Sequence, residues 1–299
     1  MGFTKRLLIC ILACFMLIRT GSAAYESIYA YDEARLNVWF IALPGETHTG
    51  ESILIRTPSG DWLLFDGGTA EAGDTVVSVL QQLGVERLSA VFATHMHVDH
   101  VGGLPAVIRR YAPQHIYASP FTDYHTTPTA NLKSAAADSG LKLEKLLAGD
   151  KLEYGDVTLD VLWPDSEPVP YDKKRITEGF VNDSSLVIRV GYHDISILLC
   201  GDITQFADRK LVQRYGEALQ ADVIKVPHHG SPDASSGAFV KAVRAKHSVI
   251  CCYAVNDWGI YNRYKKQGNP PMITSLDGTI LLGIDGKSIV VTTENERTF

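Results

Sequence analysis

The 299-residue sequence lacks any apolar run long enough to cross a bilayer: its longest, Leu7 to Ile18, has 12 residues, where a span needs about 20. Lys5 and Arg6 precede this run and Arg19-Thr-Gly-Ser-Ala-Ala follows it, so residues 1–24 read as a secretory signal peptide cleaved after Ala23 or Ala24. Ile11-Leu-Ala-Cys14 resembles a lipobox, but the apolar run continues past Cys14, which ranks a lipoprotein below a cleaved, secreted or cell-envelope protein. Cysteine is scarce. Of five, Cys10 and Cys14 fall in the leader, and Cys200, Cys251 and Cys252 remain; an odd number without ligand spacing excludes a disulfide framework. Cys200 and Cys251 sit in apolar runs and are expected to be small buried hydrophobes. Positive charge is in deficit as well. The net charge is −6, and loss of Lys5, Arg6 and Arg19 takes it to about −9, which excludes broad nonspecific attraction to nucleic acid or anionic membranes. Linkers, low-complexity stretches and short-period repeats are missing, and with 45% apolar residues residues 25–299 are expected to form one globular domain.

Short apolar strands alternate with amphipathic segments. Strands are expected at 36–43, 52–56, 62–65 and 88–94, with a helix over 75–83. Val101-Gly-Gly-Leu-Pro opens a helix running to Tyr111, Pro105 being tolerated in its first turn. The second half repeats the scheme, with strands at 185–190, 195–200, 222–226, 248–253, 279–282 and 288–292 and helices at 205–215 and 237–245. This pattern predicts a layered α/β fold with a pair of facing sheets.

The chemistry concentrates at the end of the 88–94 strand. There His95-Met-His97-Val-Asp99-His100 places four metal-competent side chains within six residues. In extended chain His95 and His97 share a face, so both imidazoles can reach one cation. A turn into helix then aims Asp99 and His100 at a second position. Imidazole with carboxylate suits zinc and also serves manganese or iron.

This motif resembles the hallmark of the metallo-β-lactamase superfamily, and further matches follow in order: Phe65-Asp66-Gly-Gly68, Leu199-Cys-Gly-Asp202 and Val226-Pro-His228-His229-Gly-Ser231. Asn182-Asp-Ser-Ser185-Leu-Val, taken with Cys200-Gly-Asp202 and Lys225-Val-Pro-His-His-Gly-Ser, is similar to the ComEC-type competence-protein branch and related secreted phosphoesterases. The resemblance implies an αββα four-layer sandwich, two mixed sheets with helices outside. It implies two zinc ions, or manganese: one held by His95 and His97, a second by Asp99, His100 and His228, with Asp202 bridging and a hydroxide shared between them. Asp66 would support the ligands from behind, and Asn182 and Ser231 would stand behind them or face substrate. His228 and His229 cannot be separated on sequence. His228 is favoured as the ligand because it is nearer the strand end, leaving His229, with Asp99, as a catalytic candidate: a substrate-facing donor or general acid, or a group that orients the loop.

Two departures stand out. Relatives supply a third histidine to the first metal, but only His115, His125 and His193 lie between the motif and Asp202, none well placed, and Asn182 occupies the equivalent region. Near the C-terminus, Asn262-Arg-Tyr264-Lys-Lys-Gln-Gly268-Asn-Pro270 lacks the histidine of the competence-type Asn-x-Tyr-Gly-His-Pro. Lys173, Lys174 and Arg175, and Arg263, Lys265 and Lys266 interleaved with Trp258, Tyr261 and Tyr264, are candidates for a phosphodiester-binding rim. The expected activity is a metal-dependent phosphoesterase acting on a small or polymeric phosphoester, with nucleic acid among its candidate substrates. A β-lactamase or lactonase activity and a non-catalytic metal-binding scaffold are the alternatives.

Overall fold

The central strand segments read as nearly continuous apolar runs because they are buried on both faces. The computed structural model describes residues 27–45, 50–170 and 176–296; the leader assigned to residues 1–24 and the cluster Lys173, Lys174 and Arg175 lie outside the described residues. Strands β1 (Leu36–Phe40), β2 (Ile53–Arg56), β3 (Trp62–Phe65), β4 (Ala90–Ala93), β5 (His115–Ala118) and β6 (Leu143–Lys145) form one sheet. The other sheet holds β7 (Lys151–Tyr154), β8 (Val157–Trp163), β9 (Val187–Tyr192), β10 (Ile195–Leu199), β11 (Val223–Lys225), β12 (His247–Ile250) and β13 (Met272–Ile273), after which β14 (Ile280–Ile284) and β15 (Ile289–Thr293) return to the first. Their orders are β15-β14-β1-β2-β3-β4-β5-β6 and β13-β12-β11-β10-β9-β8-β7.

The two-residue period sorts each strand's side chains between two cores. Val38 and Phe40 of β1, Leu63 and Phe65 of β3, Phe92 of β4, Ile197 and Leu199 of β10 and Val223 of β11 interdigitate between the sheets. The alternate residues Trp39, Leu64 and Val91 face the helices Gly73–Gln82, Leu104–Tyr111 and Thr127–Asp138. Leu198 and Ile224 face Gln205–Tyr215 and Gly237–Val243. The result is the expected αββα sandwich. Burial of a large side chain such as Phe92, 0% exposed and stacked on Phe65 at 4.2 Å, makes truncation to Ala cost about 3–5 kcal/mol.

One predicted helix is broken in two. Instead of running from Val101, helix occupies Val98–Val101 and Leu104–Tyr111, because the backbone at Gly102-Gly103 is pressed against the β3 loop. A Cβ on Gly103 would lie 2.1 Å from the Gly67 carbonyl oxygen, so no other residue fits there, and Gly103 N–H donates to Gly68 O at 3.0 Å. Among the described residues Cys200, Cys251 and Cys252 are free and buried, as expected of Cys200 and Cys251.

Strands β3 to β6 run parallel, as do β10 to β13. The chain segments leaving the C-terminal ends of β3, β4, β10 and β11 therefore emerge on one edge of the sandwich, where crossovers in open parallel sheets leave a crevice.

Candidate metal centre

Each motif leaves a strand at that edge. Asp66 follows β3 with a left-handed backbone (φ 55°), and its carboxylate ties β3 to the histidine loop. Oδ1 accepts Thr94 N–H at 2.8 Å, while Oδ2 accepts Thr94 Oγ1 at 2.6 Å and His100 Nδ1 at 2.7 Å. His100 Nδ1 is thereby the protonated nitrogen facing outward, and Nε2 faces inward, 3.1 Å from Asp202 Oδ2. The other imidazoles are held by the same logic. His95 Nδ1 contacts Thr94 Oγ1 at 3.1 Å, leaving Nε2 to face His97 Nδ1 at 3.1 Å. His97 Nε2 lies 2.7 Å from Glu178, whose other oxygen accepts from Tyr124 OH at 3.0 Å. His229 Nδ1 donates to Cys251 O at 2.7 Å, and its Nε2 lies 3.1 Å from Asp202 Oδ2 and 3.5 Å from Asp99 Oδ2. Outer nitrogens engaged by carboxylate, hydroxyl or carbonyl, with inner nitrogens converging, is the arrangement that orients metal-bound histidines.

The inward atoms fall into two groups sharing Asp202. Asp99, His100, Asp202 and His229 present donor atoms all within 4.8 Å of one another. His95 and His97 form the other group, with His95 Nε2 3.9 Å from Asp202 Oδ2. The donor chemistry fits borderline divalent cations.

His228, favoured on sequence as the ligand, is turned elsewhere: Nδ1 contacts Asp233 Oδ1 at 2.8 Å and Nε2 contacts Asn182 Nδ2 at 3.3 Å. His229 takes the place among the donors instead of acting as a substrate-facing donor. Both residues adopt left-handed backbone (φ 49° and 52°) in the Pro227–Gly230 turn, so proximity to the strand end does not decide which imidazole reaches inward. Of the other histidines, His115 pairs with Glu144, His125 is exposed beside Asp123 and His193 sits in the β9–β10 turn.

The charges behind the site were not legible. Lys225, 0% exposed at the end of β11, donates to Gly201 O at 2.8 Å, lies 3.3 Å from Asp202 Oδ1 and pairs with buried Glu51. Asp202 is thus anchored through Oδ1 and free to offer Oδ2. The Asn182–Ser185 motif also has a mechanical role: Ser185 Oγ accepts Asp202 N–H at 3.0 Å and Asp183 Oδ1 accepts Thr204 N–H at 2.9 Å, fixing the β10 exit. Gly50 packs under Asp99, where a Cβ would lie 1.7 Å from the Asp99 carbonyl oxygen.

Electrostatics set the protonation of the metal-free cluster. Burial opposes charge on His100, but Asp202 and Asp66 outweigh it and raise its pKa well above the usual imidazole value. Burial likewise opposes charge on His229, yet Asp202 and Asp99 push its pKa up to about 9. Burial would raise the Asp202 pKa, but the His100, His229 and Lys225 charges hold it far down. Asp99 is also depressed, its burial overcome by the His229 hydrogen bond and by His100. His95, buried beside His100, is pushed down. Ionised carboxylates accompanied by protons on His100 and His229 mark the position where cations would sit.

A cavity of about 770 Å³ opens onto the cluster. His97, Asp99, Asn182, Asp202, His228, His229 and Ser231 all line it, together with Glu178 and Asp233, and no Lys or Arg is among its described lining residues. The expected C-terminal rim is elsewhere. Arg263 donates to the Ser235 carbonyl, Tyr264 OH is buried against Ser235 Oγ at 3.0 Å, and Trp258 packs edge-on to Tyr261. Arg263 and Tyr264 hold the helix Trp258–Lys265 to the Ser235 segment, while Trp258 is exposed and its contact with Tyr261 lies within that helix.

The sequence matches the metallo-beta-lactamase superfamily over residues 46–254. The chain belongs to that superfamily. It is a metallo-β-lactamase-fold hydrolase, of a family whose members are generally metal-dependent. It is 28% identical to Competence protein ComA of Neisseria gonorrhoeae over 276 residues, 90% of this chain and 35% of ComA. It is 26% identical to ComE operon protein 3 of Bacillus subtilis (strain 168), over 72% of this chain and 28% of that protein. The chain therefore spans about a third of these relatives, consistent with the competence-protein branch. Among solved structures, a variant of CmlA beta-hydroxylase shares the fold at 13% identity, with a TM-score of 0.51 over 83% of this chain and 54% of that one. Among the described residues no helix is long and apolar enough to cross a membrane.

Proposed function

We propose that this hydrolase is an exported phosphoesterase that works with two divalent cations, zinc or manganese, held by His95, His97, Asp99, His100, Asp202 and His229. The observation that carries the reading is the inward convergence of four imidazole nitrogens and two carboxylates, the outer nitrogens of His95, His100 and His229 being hydrogen-bonded from outside and that of His97 standing beside the Glu178 carboxylate. Bound there, the cations would supply Lewis acidity toward a phosphoryl oxygen and activate water for attack. The chain's own groups do the rest. Asp66, Glu178 and the Cys251 carbonyl fix His100, His97 and His229, Lys225 fixes Asp202, and Asp99 lies at the cavity floor, placed to accept a proton. The similarity of the Asn182 and His228-His229-Gly-Ser231 segments to competence-type proteins and secreted phosphoesterases favours phosphoesters over lactams and lactones. Export rests on Lys5, Arg6 and the apolar run to Ile18.

The test is hydrolysis of bis(p-nitrophenyl) phosphate and of DNA by purified protein with zinc or manganese, beside an Asp202→Ala control. Metal-dependent turnover absent from the control supports the reading. Activity on nitrocefin or a lactone alone assigns the alternative chemistry, and no turnover with any of them returns the chain to a metal-binding scaffold.

A further inference from the structure

Asn182 Oδ1 is a buried carbonyl oxygen with no hydrogen-bond partner, in a residue 4% exposed on the cavity wall. Such an oxygen has lost its water without compensation. The other end of the amide is committed. Asp233 Oδ1 lies 2.8 Å from His228 Nδ1, and His228 Nε2 lies 3.3 Å from Asn182 Nδ2. A carboxylate can only accept, so His228 Nδ1 donates to it, and Asn182 turns its amide nitrogen Nδ2 toward His228 Nε2. The chain Asp233–His228–Asn182 thus fixes which amide atom is used and leaves Oδ1 unspent.

Asn182 lies one turn along the helix Glu178–Asn182 from Glu178, which stands 2.7 Å from His97 Nε2, and lines the same cavity as His97; the His95–His97 pair there lacks a donor. Asp99, His100, Asp202 and His229 make a four-membered group, but among the described residues no third His, Cys, Asp or Glu joins His95 and His97 except through the shared Asp202. We infer that Asn182 completes the His95–His97 half of the centre by offering Oδ1 to the cation held there, with His228 and Asp233 as positioning residues that keep the amide in that orientation; the inference rests on the metal-dependent reading above. An amide oxygen is a harder donor than imidazole, so this half-site discriminates less strongly for zinc over manganese than a three-histidine site does.

The experiment is metal analysis. Full-length protein is loaded with manganese or zinc, freed of excess ion and assayed by elemental analysis, by titration against a competing chelator and by the visible spectrum of its cobalt form. The wild type is expected to hold close to two ions. Asn182→Ala is expected to hold close to one, with a changed cobalt spectrum, whereas Asn182→Asp keeps two. Asn182→His should raise the ratio of zinc to manganese affinity. His228→Ala should weaken the second ion about tenfold, as loss of outer support does at metal centres, and His228→Gln, which can still accept from Nδ2, should recover part of that. Folding is checked by circular dichroism in chelator, and if Asn182→Ala fails to fold, the near-isosteric Asn182→Leu takes its place with the same expectation. Two ions bound at wild-type affinity in the Ala or Leu variant overturn the inference while leaving the proposed function standing, whereas a wild type that holds a single ion overturns the inference and the two-cation part of the proposed function together. A wild type that binds none overturns both.

Discussion

Lys225→Met is expected to destabilise the metal-free protein severely although it removes no apolar contact. Lys225 is 0% exposed, Glu51 1% and Asp202 2%, and among the described residues the ammonium is the one Lys or Arg charge paired with both carboxylates. Burial opposes its charge, but Glu51 and Asp202 raise its pKa above the ordinary lysine value. Methionine fills the same volume and leaves two buried anions with one partner fewer. Breaking a buried ion pair in this way costs about 3–5 kcal/mol, which for a domain of this size lowers Tm by roughly 6–20 °C. The assay is denaturant unfolding in EDTA at neutral pH. Adding Glu51→Gln removes one of the stranded charges and should recover at least half of the loss, a non-additive cycle. Burial already raises the Glu51 pKa, with Lys225 acting to lower it. Without Lys225 the deficit should therefore shrink as pH falls and Glu51 takes up a proton. A Lys225→Met cost below about 1 kcal/mol, with Glu51→Gln purely additive, would refute the reasoning, because neither outcome is compatible with a buried, mutually dependent pair.

Other predictions follow from the same contacts. His229 has its pKa raised to about 9, so its contribution to metal-free stability is complete below the unfolded value near 6.5 and is lost as pH rises through about 9. Metal must displace that proton, so affinity should climb with pH by up to tenfold per unit for each proton released; thermal unfolding in EDTA and calorimetric titration read the two opposite trends. Asp66→Asn leaves His100 Nδ1 without its carboxylate acceptor and should weaken metal binding about 10- to 100-fold, measured by chelator competition. Gly50→Ala places a Cβ against the Asp99 carbonyl at a backbone φ of +66°. The left-handed backbone alone costs a residue with a Cβ about 1–3 kcal/mol and the Asp99 backbone must also shift to relieve the 1.7 Å clash, so the loss should exceed that figure, and both Tm and metal affinity should fall.

Sequence was most informative where one face of an element, or one strand end, decides the outcome. Trp62–Phe65 and Gln205–Tyr215 match their predicted bounds, because an apolar run or stripe bounded by turn residues leaves few alternatives. The stretch between Ala112 and Asn182 was not assigned. It contains β5 to β8 and the helices Thr127–Asp138 and Glu178–Asn182; β5, β6 and β7 are short or half-exposed, so periodicity is weak in them, whereas the alternation Val157, Leu159, Val161 of β8 is a readable strand signal. Glu178 illustrates the consequence: an exposed glutamate far along the chain acquires meaning only when it stands 2.7 Å from His97. The exchange between His228 and His229 turns on backbone dihedrals that neighbouring identical residues cannot reveal. Lys225 and Glu51 carried a faint signal, a lysine in the apolar run Val223–Val226 and a glutamate before β2, but burial is what identifies them as a pair.

The central claim is that His229, and not His228, belongs to a convergent two-cation centre. Anomalous diffraction from crystals grown with zinc or manganese tests it directly. The account predicts two peaks that share Asp202, one bonded to His229 Nε2 with Asp99 and His100 and the other to His95 and His97, with His228 still against Asn182. A peak bonded to His228 in place of His229, or no peak beside Asp202, would contradict it.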